Sequence, residues 1–194
     1  PRLVLVEELA GALERLAQAV ERLLREFLLW EPFIPTDRRG RIDLKGFARL
    51  LAPLCRMLRD DVADALKDPG SPLVQLAKDW RQLLFPDATD EQFADAYAQT
   101  VSFALLLGRS EGADPLTLET AEAALAVQHN LLSRALQVLT DPAARAEIAA
   151  SLDLLLRVIG AVPPSTFTGP EDPWLYFYED FLAAYDPKLR KDAG

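Results

Sequence analysis

Apolar residues that recur at helical spacing between prolines constrain the fold of this chain most strongly. The apolar side chains fall three or four positions apart, which is the period of an amphipathic helix, and no window shows the period-2 alternation of a strand. The pattern predicts helices over about residues 3–29, 44–66, 72–84, 90–108, 117–128, 130–139, 142–159 and 173–185. We therefore predict an all-α fold, an irregular multi-helix bundle of about seven helices.

Helix starts are marked by capping residues. Thr89 stands three positions before Gln92, the spacing of a capping box, and Ser71-Pro72 opens the helix before it. Three later starts combine an aspartate at the N-cap with a proline at the first helical position: Asp114-Pro115, Asp141-Pro142 and Asp172-Pro173. Pro53 lies inside a predicted helix and predicts that this helix is kinked or split.

Length and sequence breaks indicate three parts. We expect a long N-terminal helix and linker over residues 1–35 and a helical core over residues 36–170. Residues 171–194 are expected to form an aromatic helix followed by an exit segment, here called the strap, after Asp186-Pro187. Because the sequence starts at Pro1 without Met and stops in the strap, we expect a fragment of a longer polypeptide.

Composition excludes several classes of site. The chain of 194 residues has one cysteine and one histidine, which rules out a disulfide framework and a Cys/His zinc site. No glycine-rich phosphate loop is present. No apolar run approaches the roughly 20 residues that span a bilayer, and no signal-peptide pattern occurs, so we expect a cytoplasmic protein without membrane association.

Charge is distributed unevenly along the chain. Residues 1–60 carry a formal charge of +2 and residues 61–194 a charge of −11, and the total is −9. An acidic surface repels the phosphate backbone, so the later part is a poor DNA track. Seven basic residues and one acidic residue lie between Arg38 and Arg59. Lys45, Arg49, Arg56 and Arg59 fall within about 80° on one helix, and Arg38, Arg39 and Arg41 extend this stripe.

Two interpretations of the basic stripe remain open. A charge run is usually a solvated helix face. The functional alternative is contact with a DNA backbone, for which the candidate residues are Arg38, Arg39, Arg41, Lys45 and Arg49.

Two other patterns imitate metal sites. Asp60, Asp61 and Asp64 form the D-D-x-x-D spacing that holds Mg²⁺ in isoprenoid synthases, but no second acidic cluster faces them in the sequence, so we interpret them as a solvated helix face. The segment 36–47 resembles half of an EF-hand loop, with arginine and glycine where ligands belong. It is therefore predicted to be a turn that leads into the next helix.

The lone histidine and cysteine also have structural interpretations. His129 stands near the predicted end of a helix, where the macrodipole favours it. We expect no Cys, Ser or carboxylate partner near it, and therefore neither a catalytic triad nor a metal site. Cys55 lies between Leu54 and Leu58 on the apolar side of its helix and is predicted to be buried.

Aromatic residues concentrate at the C-terminus. Seven of the 16 aromatic residues lie in the last 30 positions. Core packing explains such a stripe, and contact with another domain is the alternative, because aromatic side chains dominate interface anchors. The candidates for interdomain packing are Trp174, Phe177, Tyr178 and Phe181.

Two stretches carry a family resemblance: Phe93-Ala94-Asp95-Ala96-Tyr97-Ala98-Gln99-Thr100, and the longer stretch from Asp172-Pro173-Trp174 to Tyr185-Asp186-Pro187-Lys188-Leu189-Arg190. Both resemble the helical region that precedes the methyltransferase domain in large adenine-specific DNA methyltransferases of restriction–modification systems. In that family, nuclease and methyltransferase often share one polypeptide, and the strap leads into a Tyr-Tyr-Thr-Pro stretch that opens the S-adenosylmethionine-binding domain.

The resemblance implies a supporting role for this region. The family's catalytic Asn-Pro-Pro-(Tyr/Phe) motif and its glycine-rich cofactor loop have no counterpart in residues 1–194, so no catalytic, cofactor-binding or metal-binding residue is carried over. S-adenosylmethionine is implied for the parent enzyme alone. We expect a non-catalytic helical coupler whose partners are the methyltransferase domain of the same polypeptide and, through the parent enzyme, DNA. The alternatives are a stand-alone helical protein-binding module without a link to DNA, and a small helical enzyme that uses Asp60, Asp61 and Asp64.

Overall fold

The computed structural model describes residues 32–167 and 173–186, and from Phe33 onward these belong to one compact unit. Its elements are helices α1 (Leu44–Ala65), α2 (Pro72–Leu83), α3 (Asp90–Ser110), α4 (Leu118–Gln128), α5 (Asn130–Leu139), α6 (Pro142–Glu147), α7 (Ala149–Gly160), a 3₁₀ turn (Pro164–Phe167) and α8 (Pro173–Tyr185). The predicted N-terminal helix, Asp172 and the strap from residue 187 lie outside the described residues.

The all-α prediction is confirmed. Within the described ranges, β-structure is limited to one isolated bridge between Thr36 and Ile42. Eight α-helices are present there, compared with about seven predicted. The predicted helix over 142–159 is two helices, because Ile148 leaves the helical conformation with φ −118° and ψ 16°. Among these helices, none is both long enough and apolar enough to cross a bilayer.

Three helix starts follow the predicted capping chemistry. The Ser71 hydroxyl accepts a hydrogen bond from the Leu73 N–H, and Thr89 and Gln92 form the complete capping box. The Asp141 carboxylate accepts from two N–H groups in the first turn of α6.

The start predicted at Asp114-Pro115 is wrong. Helix α4 begins at Leu118, and its cap is Thr117, whose hydroxyl accepts from the Thr120 N–H at 3.1 Å. The Asp114 carboxylate lies instead 2.9 Å from the buried guanidinium of Arg109. The competing ion pair therefore removes Asp114 from the capping position.

Pro53 does not split its helix. Helix α1 is continuous from Leu44 to Ala65, and the proline lies on its exposed side. An exposed proline removes one backbone hydrogen bond at a place where water reaches the freed carbonyl. Of the two predicted outcomes, the split is therefore wrong, and the kink stays a prediction.

One face of α1 forms the centre of the core. The buried side chains of that face follow the helical period and comprise Phe47, Ala48, Leu51, Ala52, Cys55, Leu58 and Val62. Helices α3, α7 and α8 pack against α1, and α3 is itself covered by α4, α5 and α7. The two longest described helices thus organise the remaining ones.

Aromatic rings connect α8 to this core. The Phe177 ring lies 5.7 Å from Phe47 and 5.4 Å from Phe167, and the Phe181 ring meets Phe103 edge-on at 5.0 Å. Edge-to-face arrangements of this kind add to the stabilisation from apolar burial. Core packing therefore accounts for the buried part of the C-terminal aromatic stripe.

Gly108 permits the close approach of α3 and α4. A Cβ atom at this position would lie 2.9 Å from the Ala121 Cβ and 3.0 Å from the Ala121 Cα. We expect Gly108→Ala to lower the free energy of unfolding by about 1–2 kcal/mol, because overpacking outweighs the gain in helix propensity. Urea denaturation measures the difference.

Gly160 supplies the matched control. A Cβ there would meet Leu116 at an ordinary 3.4 Å, so Gly160→Ala is expected to leave stability unchanged or slightly higher. Equal effects of the two substitutions would contradict the close helix contact.

Candidate protein-binding groove

Three helices line an open apolar groove with a volume of about 670 Å³. Each helix contributes residues at positions i, i+3, i+4 and i+7: Leu76, Asp79, Trp80 and Leu83 from α2, Phe93, Ala96, Tyr97 and Thr100 from α3, and Leu131, Arg134, Ala135 and Val138 from α5. Helix α3 forms the floor, and α2 and α5 form the two walls. Such stripes are the surfaces with which helices pack on one another.

Specific contacts hold the two walls in place. The Tyr97 hydroxyl of α3 donates to the Leu139 carbonyl at the end of α5. The Ser133 hydroxyl attaches α5 to the Glu122 carbonyl of α4 at 2.9 Å. On the other side, the Trp80 ring of α2 meets the Phe93 ring edge-on at 5.4 Å. The groove is therefore built from packed helices and is preformed.

The rim of the groove exposes large apolar side chains. Leu131 is 85% exposed and Leu83 is 79% exposed. Two smaller cavities continue the surface, one toward Phe85 and Pro86 and the other toward the start of α5. A continuous exposed apolar surface of this kind is typical of a binding site.

Two charged side chains line the groove, one on each wall. The Asp79 carboxylate accepts a hydrogen bond from the Gln75 side-chain amide at 2.7 Å, and the Arg134 guanidinium lies 3.4 Å from the Asn130 side-chain oxygen. Among the described residues, neither charge has a partner of opposite sign within 4 Å. The groove thus presents one uncompensated charge of each sign.

The structure divides the predicted basic stripe. Arg56 donates to the carbonyls of Ala184 and Tyr185 at 2.7 and 3.1 Å, so it binds the end of α8. Arg59 pairs with Asp60 at 2.8 Å, and its guanidinium lies 5.8 Å from the centre of the Tyr185 ring. Both arginines therefore contribute to packing within the domain.

The five candidate DNA contacts fall into two groups. Arg41 binds the Asp37 carboxylate at 2.9 Å, and Lys45 lies 3.6 Å from Asp180. Arg38, Arg39 and Arg49 are exposed, and their side chains have no ion-pair partner among the described residues. Arg41 and Lys45 are exposed but already paired, so Arg38, Arg39 and Arg49 are the three candidates that could meet a phosphate without giving up an ion pair.

A second cavity, of about 730 Å³, adjoins this surface. It is lined by Arg41 and Lys45 but also by the carboxylates of Asp37, Asp43 and Asp180. Three carboxylates beside two cations oppose the binding of a phosphate in this cavity. The cavity itself is therefore unsuited to a phosphate group.

The EF-hand-like segment is a turn, as predicted. The Asp37 carboxylate accepts from the backbone N–H groups of Arg39 and Arg41 and from the Arg41 side chain, and Gly40 has φ +73°. The hydrogen bond from the Arg41 backbone is the main cause that holds the pKa of Asp37 below its usual value. The turn directs the chain into α1.

In the acidic cluster on α1, Asp60 and Asp64 are exposed and locally paired, and Asp61 is half-buried. Asp60 binds Arg59 at 2.8 Å, and Asp64 binds Lys67 at 2.6 Å. No group of three or more His, Cys, Asp or Glu side chains in the described ranges is arranged to hold a metal ion. The local pairing agrees with the interpretation of a solvated helix face.

The four candidates for interdomain packing divide by burial. Phe177 and Phe181 are completely buried inside the described unit and belong to its core. Trp174 is partly buried and stacks on Phe167 with 4.4 Å between ring centres. Tyr178 is exposed apart from an edge-on contact with Phe103. Trp174 and Tyr178 are therefore the two that keep surface for a partner.

His129 has a partner that the sequence did not reveal. It caps the end of α4, as the macrodipole argument predicts, but its Nε2 atom lies 3.5 Å from the Glu111 carboxylate. The expectation of a histidine without a carboxylate neighbour is thus wrong. The two residues are 18 positions apart, and only the approach of α3 and α4 brings them together.

A buried polar cluster joins α1, α3 and α8. The Tyr185 hydroxyl donates to the Asp95 carboxylate, and burial raises the pKa of the Tyr185 phenol. Cys55 is completely buried nearby, as predicted, and burial raises the pKa of its thiol to about 11. The thiol is therefore held in its unreactive protonated form.

Comparison of the chain with family models, curated proteins and solved structures gives no match. The resemblance to the methyltransferase helical region consequently rests on the two sequence stretches themselves.

We expect the Cys55 thiol to reduce stability at alkaline pH. Its pKa is near 9 in an unfolded chain and about 11 in the fold, so the folded state binds more protons between these values. The free energy of unfolding should then fall by up to about 1.4 kcal/mol per pH unit through this window.

Urea denaturation at several pH values between 8 and 11 tests this dependence. Cys55→Ala should remove the thiol's contribution to the slope and leave the contributions of the buried tyrosines Tyr97 and Tyr185. Identical slopes for the variant and the wild type would contradict the shifted thiol pKa.

Proposed function

We propose that this chain is a non-catalytic helical coupler of an adenine-specific DNA methyltransferase of restriction–modification type. The sequence resemblance supplies the family, and the anchoring of the end of α8 is the observation that carries the coupling role. In this proposal, the domain fixes the position and direction from which the polypeptide after α8 continues in that family.

The two stretches that carry the resemblance touch each other. The first lies on α3, and the described part of the second forms α8, about 80 residues further along the chain. Their contact includes the hydrogen bond from Tyr185 to Asp95. This contact supports the proposal because both stretches then serve one purpose, the attachment of α8.

Helix α8 is fastened at its C-terminal end. Arg56 satisfies two carbonyls that a helix end otherwise leaves without partners, and its positive charge complements the negative end of the helix dipole. Arg59 packs over the Tyr185 ring beside it. A rigid helix end sets the direction of whatever chain continues from it, which is what a coupler requires.

Arg56→Ala in the full-length polypeptide tests the coupling. We expect the isolated domain to stay folded and the rate of adenine methylation to fall roughly 10- to 100-fold, because loosening α8 misplaces the catalytic domain. Lys78→Ala, which removes an exposed lysine of α2, is the matched control and should leave the rate unchanged. An unchanged rate in Arg56→Ala would contradict coupling through α8.

The family assignment has a separate test. The coding sequence after Gly194 should contain a Tyr-Tyr-Thr-Pro stretch and an Asn-Pro-Pro-(Tyr/Phe) motif. The lack of both would favour a stand-alone protein-binding module, which is our second candidate function. The apolar groove between α2, α3 and α5 specifically supports that candidate.

Contact with the DNA backbone is a secondary part of the proposal and falls to Arg38, Arg39 and Arg49. We expect weak, salt-dependent binding of the chain to duplex DNA, which fluorescence anisotropy at low and moderate salt measures. Replacing all three arginines with alanine should abolish binding at moderate salt. If binding remains at low salt, the logarithm of its binding constant should fall less steeply with the logarithm of the salt concentration. The slope should be smaller by about 0.9 for each phosphate that the chain no longer neutralises.

Lys78→Ala, which removes one exposed positive charge elsewhere on the surface, should retain the binding. If the chain fails to bind DNA at low salt, the domain is a coupler without its own DNA contact.

A further inference from the structure

We propose that the groove between α2 and α5 binds a second copy of this chain, as an isologous dimer in which α5 of each copy occupies the groove of the other. The inference does not depend on the methyltransferase assignment. It rests on the shape, exposure and charges of the groove alone.

The groove has the form of a helix bundle that lacks one helix. Its three helices all present stripes at i, i+3, i+4 and i+7, which is the pattern against which an amphipathic helix packs. Helix α5 carries such a stripe, and its apolar members Leu131 and Val138 are exposed. The surface therefore contains both the groove and a helix suited to it.

The two charges that line the groove favour a second copy as its occupant, because they complement each other across a symmetric contact. In an isologous contact, residue i of one copy meets residue j of the other, and j meets i. With α5 in the partner's groove, Arg134 faces the wall on which the partner's Asp79 lies, and the symmetric contact forms at the same time. A second copy thus supplies a partner of opposite sign to both charges.

The size of the surface predicts a modest affinity. Helix α5 has 10 residues and is about 15 Å long, so the contact is at the lower end of specific interfaces. Such interfaces often have micromolar dissociation constants. The net charge of −9 on each copy weakens association at low salt.

Analytical ultracentrifugation of the chain tests the dimer. The weight-average mass should rise from one chain of 21.5 kDa toward two chains between about 1 and 100 µM. Leu131→Glu should keep the chain monomeric over that range, because it places a carboxylate in the apolar contact. A wild-type chain that stays monomeric at about 100 µM overturns the proposal and leaves the groove to a different protein.

Charge reversal identifies the interface. Asp79→Arg and Arg134→Asp should each weaken the dimer at least tenfold, because each places like charges opposite one another. Both positions are exposed, so circular dichroism should report an unchanged fold. Lys78→Asp, which changes the neighbour of Asp79 outside the groove lining, should leave the dimer intact.

Mixing the two single variants provides the decisive measurement. Each heterodimer then pairs Arg134 with Asp79 and the introduced arginine with the introduced aspartate, so heterodimers should form with near wild-type affinity. Fluorescence transfer between differently labelled variants measures this recovery. A dimer that ignores these substitutions, or variants that fail to recover on mixing, would place any interface elsewhere and overturn the proposal.

Discussion

The burial of one face of α1 is the interaction on which the rest of the domain depends. This face runs from Phe47 to Val62 and is covered by α3, α7 and α8. Helices as short as α7 and α8 are marginal in isolation, so they form because they share this apolar surface. The position of α8 is a consequence of its packing on α1.

Polar contacts complete what apolar packing begins. The carbonyls at the end of α8 would cost free energy if they lacked partners near the core, and Arg56 supplies their donors from α1. Tyr97 does the same for α5, where its hydroxyl donates to the Leu139 carbonyl. Both contacts join residues more than 40 positions apart and define how neighbouring helices are placed.

The same packing leaves an uncovered apolar surface on the other side of α3. Helix α5 is held by α3 and α4, whereas α2 is held mainly by α1 and α6. Because the two helices are attached to different neighbours, the groove between them stays open, and apolar side chains on its rim, such as Leu83 and Leu131, stay exposed. The groove is therefore a product of how the helices are arranged around α3. Charged side chains also differ in their role. Arg109 is buried and donates hydrogen bonds to the Val162 and Ala113 carbonyls, so it stabilises the fold, whereas other charged side chains face the solvent.

The local features of this protein follow from its sequence, because they depend on neighbours within about four residues. Helical period defined α1, α3 and α8, the capping residues Ser71, Thr89 and Asp141 set the starts of α2, α3 and α6, and the apolar position of Cys55 predicted its burial. Tertiary structure alone decided which partners distant residues acquire. It turned Arg56 into the anchor of α8, gave His129 a carboxylate neighbour, took Asp114 from its cap, and left the stripes of α2 and α5 uncovered. The physical reason is that helical period identifies an apolar face but not whether another helix covers it.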